Sequence, residues 1–255
     1  MTLRSMLITG GGSGIGAALA LDIARRNCRV IITGRRADAL ASVAAQSPNI
    51  LALPGDVTDA HDQTTWAAAL ADLPGPRAVF HGAGYFQLGP LASLTPGDWQ
   101  RSFDTNVTAR WALSVKCAPH LTEGRMLFVG SDSGRNVRAG AAAYSIAQAA
   151  SETLRRALQV EWQDRDIAVT GFKPGLVDTD LVRGFLATSE AEFPARAAFQ
   201  AYIDRGEVAT PETIATFAAW LLMDVPADRF QATDWDIRDT DHHAEWLNGA
   251  LYTSK

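Results

Sequence analysis

The stretch T-G-G-G-S-G-I-G, residues 9–16, decides the fold of this chain. It follows a short apolar run at residues 6–9 and opens an apolar helical pattern over residues 15–27. Glycines at positions 10, 14 and 16 allow a tight turn, let backbone N–H groups approach a pyrophosphate and let the helix pack closely on the strand. Because the pattern lies between a strand and a helix, it predicts a dinucleotide-binding turn rather than an ordinary glycine-rich loop.

Short apolar runs alternate with longer helical patterns along the rest of the chain. The runs predicted as strands are 6–9, 30–33, 50–53, 78–81, 126–129, 168–172 and 235–237. The stretches predicted as helices are 15–27, 37–46, 60–72, 97–117, 144–163 and 212–223. Strands that are apolar on both faces and separated by helices indicate a parallel sheet covered on both sides. The sequence therefore predicts an α/β chain, a single doubly wound Rossmann-type domain over residues 1–255, with a parallel seven-stranded sheet.

Composition limits the class of protein further. The 255 residues are 47% apolar and 20% charged, which is normal for a globular domain. The net charge of −5, without a basic stripe, argues against nucleic-acid binding. No apolar run approaches the length of a membrane span or has the place of a signal peptide. Cys28 and Cys117 make no disulfide framework, which favours a cytoplasmic location. Adjacent His242 and His243 would diverge on a regular element, so no metal site is predicted.

The end of the second predicted strand selects the cofactor. An NAD site places an acid there to bind the ribose hydroxyls, but this chain has Gly34, and the nearest acid is Asp38. Arg35 and Arg36 follow instead, and a guanidinium pairs bidentately with a phosphate. The sequence therefore predicts NADP(H), while two solvated arginines at the start of a helix remain the alternative.

Taken together, the motifs resemble the short-chain dehydrogenase/reductase family, and the resemblance covers about residues 3–237. Asp56-Val57 resembles the adenine-contacting pair of that family. His81-Gly82-Ala83-Gly84 is similar to its Asn-Asn-Ala-Gly turn, with both asparagines replaced, and Pro174-Gly175-Leu176-Val177-x-Thr179 to its nicotinamide-end motif. The cofactor site so implied consists of Gly10, Ser13, Gly14, Ile15, Gly16, Arg35, Arg36, Asp56, Val57, Ala83, Gly84, Val177 and Thr179.

The same resemblance implies a catalytic group. Asn106 lies where the family has an asparagine that orders a water, and Ser131 precedes Tyr144 by thirteen residues, the usual family distance. Ser131 would bind the substrate oxygen, and Tyr144 would exchange a proton with it. Each residue also has a structural interpretation, as a core asparagine, a turn cap and a helix-starting aromatic.

The stretch Y-S-I-A-Q, residues 144–148, departs from the family, which has a lysine at the position of Gln148. In the family this lysine lowers the tyrosine pKa, which is otherwise near 10, and binds the nicotinamide ribose. Gln148 can still hydrogen-bond a ribose but carries no charge. Losing the charge costs roughly 2–3 kcal/mol, or about two orders of magnitude in rate. The sequence therefore predicts an Asn-Ser-Tyr-Gln group that is weakened in oxidation and favours reduction, and Gln148→Lys should restore oxidation.

Three functions are compatible with these residues. The first is an NADP-dependent oxidoreductase that interconverts a carbonyl and a secondary alcohol. The second is an impaired enzyme that binds or senses NADP without turnover. The third is a non-redox enzyme on the same scaffold, although family members similar to halohydrin dehalogenases lose the glycine loop, which is intact here.

Three further features lie outside the cofactor and catalytic motifs. Residues 176–210 form a long insertion with Phe185, Phe193, Phe199 and Tyr202, predicted to be a lid over an apolar or ring-bearing small molecule. Residues 238–255 form a tail where the family usually has Asp-Gly-Gly after the last strand. Trp111 and Trp162 lie on the helices that pair subunits in the family, so a homodimer or homotetramer is expected.

Overall fold

The computed structural model describes residues 3–252, and the structural statements that follow refer to this part of the chain. The strands are β1 (Ser5–Thr9), β2 (Arg29–Gly34), β3 (Ile50–Pro54), β4 (Arg77–His81), β5 (Gly124–Val129), β6 (Ile167–Lys173) and β7 (Trp235–Asp236). They form one parallel seven-stranded sheet in the order β3-β2-β1-β4-β5-β6-β7. The prediction of a doubly wound parallel sheet is confirmed. The order reverses between β1 and β4, which is where open α/β sheets bind their ligands.

Helices cover both faces of the sheet. They are α1 (Gly14–Arg25), α2 (Ala37–Ala44), α3 (Ala60–Ala71), α4 (Pro96–Phe103), α5 (Ala109–Cys117), α6 (Ala142–Glu161), α7 (Asp180–Leu186), α8 (Arg196–Asp204), α9 (Pro211–Met223), α10 (Ala227–Ala232) and α11 (His243–Trp246). Successive side chains of a strand point to opposite faces. Met6 and Ile8 of β1 accordingly join the core beneath α1, α2 and α9, and Leu7 joins the core beneath α3, α5 and α6.

The single helix predicted over residues 97–117 is interrupted. A capping box between Thr95 and Asp98 starts α4, and a π-helical turn at Asp104–Thr108 separates α4 from α5. Such a turn inserts a residue and is frequent at functional sites. Asn106 lies inside this turn and is fully buried.

The two tryptophans of the expected subunit interface behave differently. Trp111 is 51% exposed on α5, close to the exposed Val115. Trp162 is only 7% exposed and belongs to the core with Leu158 and Ile167. Trp162 is therefore a core residue, and of the two tryptophans it is Trp111 that has the exposure a subunit interface would need. Trp162 follows Glu161, the last residue of α6, and belongs to the same core cluster as Ile167 of β6.

The tail after β7 folds back onto the same chain as far as it is described. His242 accepts a hydrogen bond from the Trp246 indole at 2.9 Å and contacts the backbone oxygen of Asp236 at 3.0 Å. This arrangement packs Trp246 against Phe217 of α9. Arg238 and Tyr252 of the tail consequently line the large cleft at the carboxyl end of the sheet.

Candidate active site

A cleft of about 860 Å³ lies at the carboxyl ends of the central strands. Among the predicted site residues, those that line it are Gly10, Ser13, Gly14, Ile15, Gly16, Arg35, Arg36, Asp56, Val57, Ala83, Gly84, Ser131, Tyr144, Gln148, Val177 and Thr179. The fold thus brings together segments that are far apart in the sequence. Asn106 is the predicted residue that does not line the cleft.

The glycine loop after β1 is shaped for the close approach of a ligand. Gly10 and Gly14 have φ angles of +75° and +53°, which favour glycine, and a Cβ on Gly16 would clash with the Gly10 oxygen. Ser13 precedes α1 without capping it through its side chain. The first N–H groups of α1 are therefore not occupied by that side chain, and the loop fits a pyrophosphate bound at the start of the helix.

The two arginines after β2 lie beside this loop. Both are exposed and line the cleft. The Arg36 Nη2 atom donates a hydrogen bond to the Ser13 hydroxyl at 2.8 Å, which holds its guanidinium near the glycine loop. Within residues 3–252 neither arginine forms an ion pair, so both can bind an anionic group.

The turn after β4 is tied to the glycine loop. The Thr9 hydroxyl accepts hydrogen bonds from the N–H groups of Gly82 and Ala83, both at 3.1 Å. On the other side of the loop, a Cβ on Gly14 would lie 3.3 Å from the Thr179 side chain. The glycine loop therefore contacts the turn after β4 and lies beside the segment that carries Thr179.

Ser131 and Tyr144 lie at the inner part of the cleft. The Ser131 hydroxyl accepts a hydrogen bond from the Ser133 N–H at 3.1 Å, which fixes the turn after β5. Tyr144 lies in the first turn of α6, and its ring contacts Phe86 with centroids 4.3 Å apart. Burial raises the pKa of Tyr144 above its usual value, while the Ser131 hydroxyl and the Arg110 guanidinium act against this rise. The phenol is therefore protonated at neutral pH and can donate a proton.

The Asn106 amide is fully engaged with the backbone. Its Nδ2 donates to the oxygens of Tyr85 at 2.7 Å and Ser102 at 3.0 Å, and its Oδ1 accepts from the Tyr85 N–H at 3.1 Å. The side chain thus fixes the loop that carries Tyr85 and Phe86 into the cleft. The water-ordering role that the resemblance implies for Asn106 stays a prediction.

Comparison with known proteins identifies the family. A family model described as short chain dehydrogenase matches residues 4–190. The chain belongs to the short-chain dehydrogenase family. Versicolorin reductase stcU of Emericella nidulans is 28% identical over 262 residues, covering 96% of this chain and 91% of that protein. A short-chain dehydrogenase/reductase of Saccharomyces cerevisiae has the same fold, with a TM-score of 0.88, 19% identity and 96% and 100% coverage. The enzyme KRED1-Pglu gives a TM-score of 0.83 at 24% identity, covering 89% of this chain and 98% of its own.

Gln148 is the residue that the family resemblance aligns with a motif lysine. It lies one helical turn after Tyr144 on α6, is 5% exposed and lines the cleft. Residues i and i+4 of a helix are neighbours, so the two side chains share one face of α6. Gln148 is neutral, so its side chain adds no charge beside Tyr144.

Arg110 of α5 is the site residue that the sequence reasoning missed. It is 3% exposed and lines the cleft together with Tyr144 and Gln148. Burial lowers its pKa to about 10, and the neighbouring Tyr144 raises it, so the guanidinium is still cationic at neutral pH. The spacing of positions 106, 110, 113 and 117 is that of the core-facing side of a helix, and all four are buried on α5 and its preceding turn. An arginine at such a position is the sequence feature that could have indicated a buried charge.

Aromatic residues of the 176–210 segment form the other wall of the cleft. The rings of Phe185, Phe193 and Phe199 form one cluster, and Phe86 contacts Phe185 with centroids 5.2 Å apart. Since Phe86 also contacts Tyr144, this apolar wall extends to the phenol. Phe185 and Phe193 are largely buried within the cluster, so they form the packed interior of this wall.

Among residues 3–252, no group of three or more His, Cys, Asp or Glu side chains is arranged to hold a metal ion. In the same part of the chain, no helix is both long and apolar enough to cross a membrane.

Proposed function

We propose that this short-chain dehydrogenase is an NADP(H)-dependent oxidoreductase that interconverts a carbonyl compound and a secondary alcohol. The observation that carries the proposal is that Ser131 and Tyr144 line the same cleft as the glycine loop. Carbonyl reduction needs a hydride donor beside the carbon and a proton donor beside the oxygen. The bound nicotinamide would supply the hydride, and the side chains of this chain would handle the proton.

The placement of the side chains supports the following roles. Ser131 donates a hydrogen bond to the substrate oxygen, and Tyr144 gives it a proton during reduction or takes one during oxidation. Gln148 binds the nicotinamide ribose through its amide. Asn106 holds the Tyr85 loop in place and, as the family resemblance implies, would order a water for proton exchange. Because burial keeps Tyr144 protonated, the site favours reduction.

The proposed cofactor site uses the residues around the glycine loop. The backbone of Gly14 and Gly16 would bind the pyrophosphate, and Arg35 and Arg36 would bind the 2′-phosphate. The adenine would lie by Asp56 and Val57. Further lining residues would bind the rest of the dinucleotide, namely Gly10, Ser13, Ile15, Ala83, Gly84, Val177 and Thr179.

The remaining features belong to the same proposal. The aromatic wall supports an apolar or ring-bearing small molecule as substrate. The name of versicolorin reductase stcU likewise supports the reducing direction. The exposed Trp111 and Val115 on α5 support a homodimer or homotetramer. The unpaired, buried Cys28 and Cys117 support a reducing, cytoplasmic setting.

The test is NADPH consumption over a panel of aliphatic, aromatic and polycyclic ketones and aldehydes, at high enzyme concentration. We expect turnover, with a preference for ring-bearing compounds, and its loss in Tyr144→Phe, while NADPH binding is retained. Ser131→Ala should lower the rate by about two to three orders of magnitude, as removal of an oxyanion donor does. Binding of NADPH without turnover on any compound would instead support the NADP-sensing alternative. Turnover that survives in Tyr144→Phe would refute the proposed mechanism.

A further inference from the structure

We propose that the Arg110 guanidinium supplies, from α5, the positive charge toward Tyr144 that the family takes from a lysine at the position of Gln148. This inference rests on the proposed function, because it assigns the electrostatic partner of the proton donor in the same site. Arg110 would act through Tyr144 and is therefore a positioning residue. The remainder of the site keeps the roles described above.

The guanidinium is anchored to the segments that carry the site. Its Nη1 donates to the Val129 oxygen at 2.9 Å and to the Ser151 hydroxyl at 3.0 Å, and its Nη2 donates to the Ala83 oxygen at 3.3 Å. Val129 ends β5, two residues before Ser131. Ala83 belongs to the turn tied to the glycine loop. Ser151 is on α6, two helical turns after Tyr144. The charge is thus fixed relative to β5, to the turn after β4 and to α6.

The charge of Arg110 is not used by a carboxylate. Within residues 3–252 no Asp or Glu forms an ion pair with it, and its buried Nε has no hydrogen-bond partner. A buried cation without a counter-ion is costly, and a protein keeps one where the charge has a use. Neutral acceptors hold the guanidinium without cancelling its field, which is what stabilisation of a tyrosinate requires.

The other ionisable groups around Arg110 do not replace it. His81 on β4 is fully buried, and burial lowers its pKa to about 3, so the imidazole is neutral. A smaller cavity of about 180 Å³ behind α6 is shared by Arg110, Ser131 and Gln148. Further charged residues line this cavity, namely Arg135, Glu152, Arg155, Arg156, Lys173 and Asp234. Most of them pair with one another, with Arg155 within 2.6 Å of Glu152 and 3.2 Å of Asp234, and Lys173 favours the carboxylate of Asp236.

The neutral Gln148 is then a consequence of the cation on α5. Both side chains line both cavities, so a lysine at position 148 would share a small, mostly buried space with the guanidinium. Two like charges in one site disfavour each other. Glutamine avoids this repulsion and keeps the hydrogen-bonding capacity that a ribose needs. Because arginine stays protonated over the working pH range, Arg110 stabilises the tyrosinate but does not itself carry the proton.

The test moves the charge from α5 to α6. The variants are Arg110→Met, Arg110→Lys and the double variant Arg110→Met/Gln148→Lys. The control is Arg125→Met, because Arg125 is an equally buried arginine, 2% exposed, that donates to the oxygens of Leu221 and Val225 outside the cleft. The Tyr144 pKa is measured by ultraviolet difference titration of each protein against the same background carrying Tyr144→Phe. This readout does not depend on turnover.

We expect Arg110→Met to raise the Tyr144 pKa by about one to two units, as loss of a nearby charge does. Arg110→Lys should raise it less, and the double variant should return it to within about half a unit of the parent. Arg125→Met should cost stability without changing this pKa. The pH dependence of alcohol oxidation should shift in parallel with the pKa. Gln148→Lys alone should raise oxidation by less than the roughly tenfold or more expected for a site without another charge.

Two results would overturn the inference. The first is a Tyr144 pKa that does not change in Arg110→Met. The second is a double variant Arg110→Met/Gln148→Lys that folds and binds NADPH but keeps the raised Tyr144 pKa of Arg110→Met. If Arg110→Met does not fold, Arg110→Gln, which keeps hydrogen-bond donors without the charge, carries the same test. If the pKa shifts as expected while the parent shows no turnover, the electrostatic inference holds and the proposed function fails.

Discussion

Selection of NADP(H) over NAD(H) is expected to depend on Arg36 more than on Arg35. Arg36 is held toward the glycine loop by the Ser13 hydroxyl at 2.8 Å, so its guanidinium is already placed beside the ligand site. A hydrogen bond to a charged group contributes about 1.5–3 kcal/mol, and exposure to solvent and salt lowers this value. We therefore expect about 1.4 kcal/mol from Arg36, which corresponds to a tenfold change in affinity.

The assay is a titration of tryptophan fluorescence with NADPH and with NADH. Arg36→Ala should weaken NADPH binding about tenfold and leave NADH binding unchanged. The NADPH affinity of Arg36→Lys should lie between those of the parent and of Arg36→Ala, because a lysine keeps the charge but loses the bidentate geometry of the guanidinium. Ser13→Ala should weaken NADPH binding by a few-fold. Without the Ser13 hydroxyl the Arg36 side chain is free to move, so the ligand must immobilise it on binding. Raising the salt concentration should weaken NADPH binding more than NADH binding.

Two outcomes would refute this reasoning. The first is equal affinity of the parent for NADPH and NADH, which would make the arginines ordinary solvated residues at the start of α2. The second is a preference that survives both Arg35→Ala and Arg36→Ala, which would move phosphate recognition to another part of the cleft.

Three further predictions concern stability, motion and assembly. His81 is neutral in the folded protein, with a pKa of about 3 against 6.5 in the unfolded chain, so its contribution to stability is complete above pH 6.5 and is lost as the pH falls toward 3. The parent protein should lose about 2 kcal/mol of unfolding free energy between pH 6.5 and 5. The His81→Asn variant should lose much less over the same range, which denaturant titration at each pH measures. Residues 176–210 should gain hydrogen-exchange protection with cofactor and substrate, and apo protection equal to that of the sheet would make the segment scaffold. Trp111→Glu should give a monomer by light scattering if the exposed face of α5 pairs subunits, whereas a monomeric parent would end that idea.

Much of the fold followed from patterns that act locally. The glycine loop and the alternation of apolar runs with helical stretches specified a parallel doubly wound sheet, because strands buried on both faces leave few other arrangements. The interruption of the 97–117 helix could not be read in this way. A π-helical turn at Asp104–Thr108 changes the helical register without a glycine or proline to mark it.

The burial of single side chains was harder to predict. Trp162 and Trp111 look alike in the sequence, yet one is in the core and the other is exposed. The difference depends on where α6 ends, and helix ends are the least certain part of a sequence pattern. The burial of Arg110 does not follow from its residue type, because arginines are usually exposed, yet it shares the buried face of α5 with Leu113.

The role proposed for Arg110 gives a physical reason why the loss of one motif residue need not end an activity. A linear motif ties the charge to the residue four positions after Tyr144, on the same helix. Lowering the pKa of a tyrosine requires only a positive charge at a suitable distance in a site with little water, because the electrostatic field acts through space. The side chains around Tyr144 come from α5, from the ends of the strands and from the 176–210 segment as well as from α6. Any of these elements can carry the charge, provided that neutral groups hold it, as Val129, Ala83 and Ser151 hold the guanidinium of Arg110.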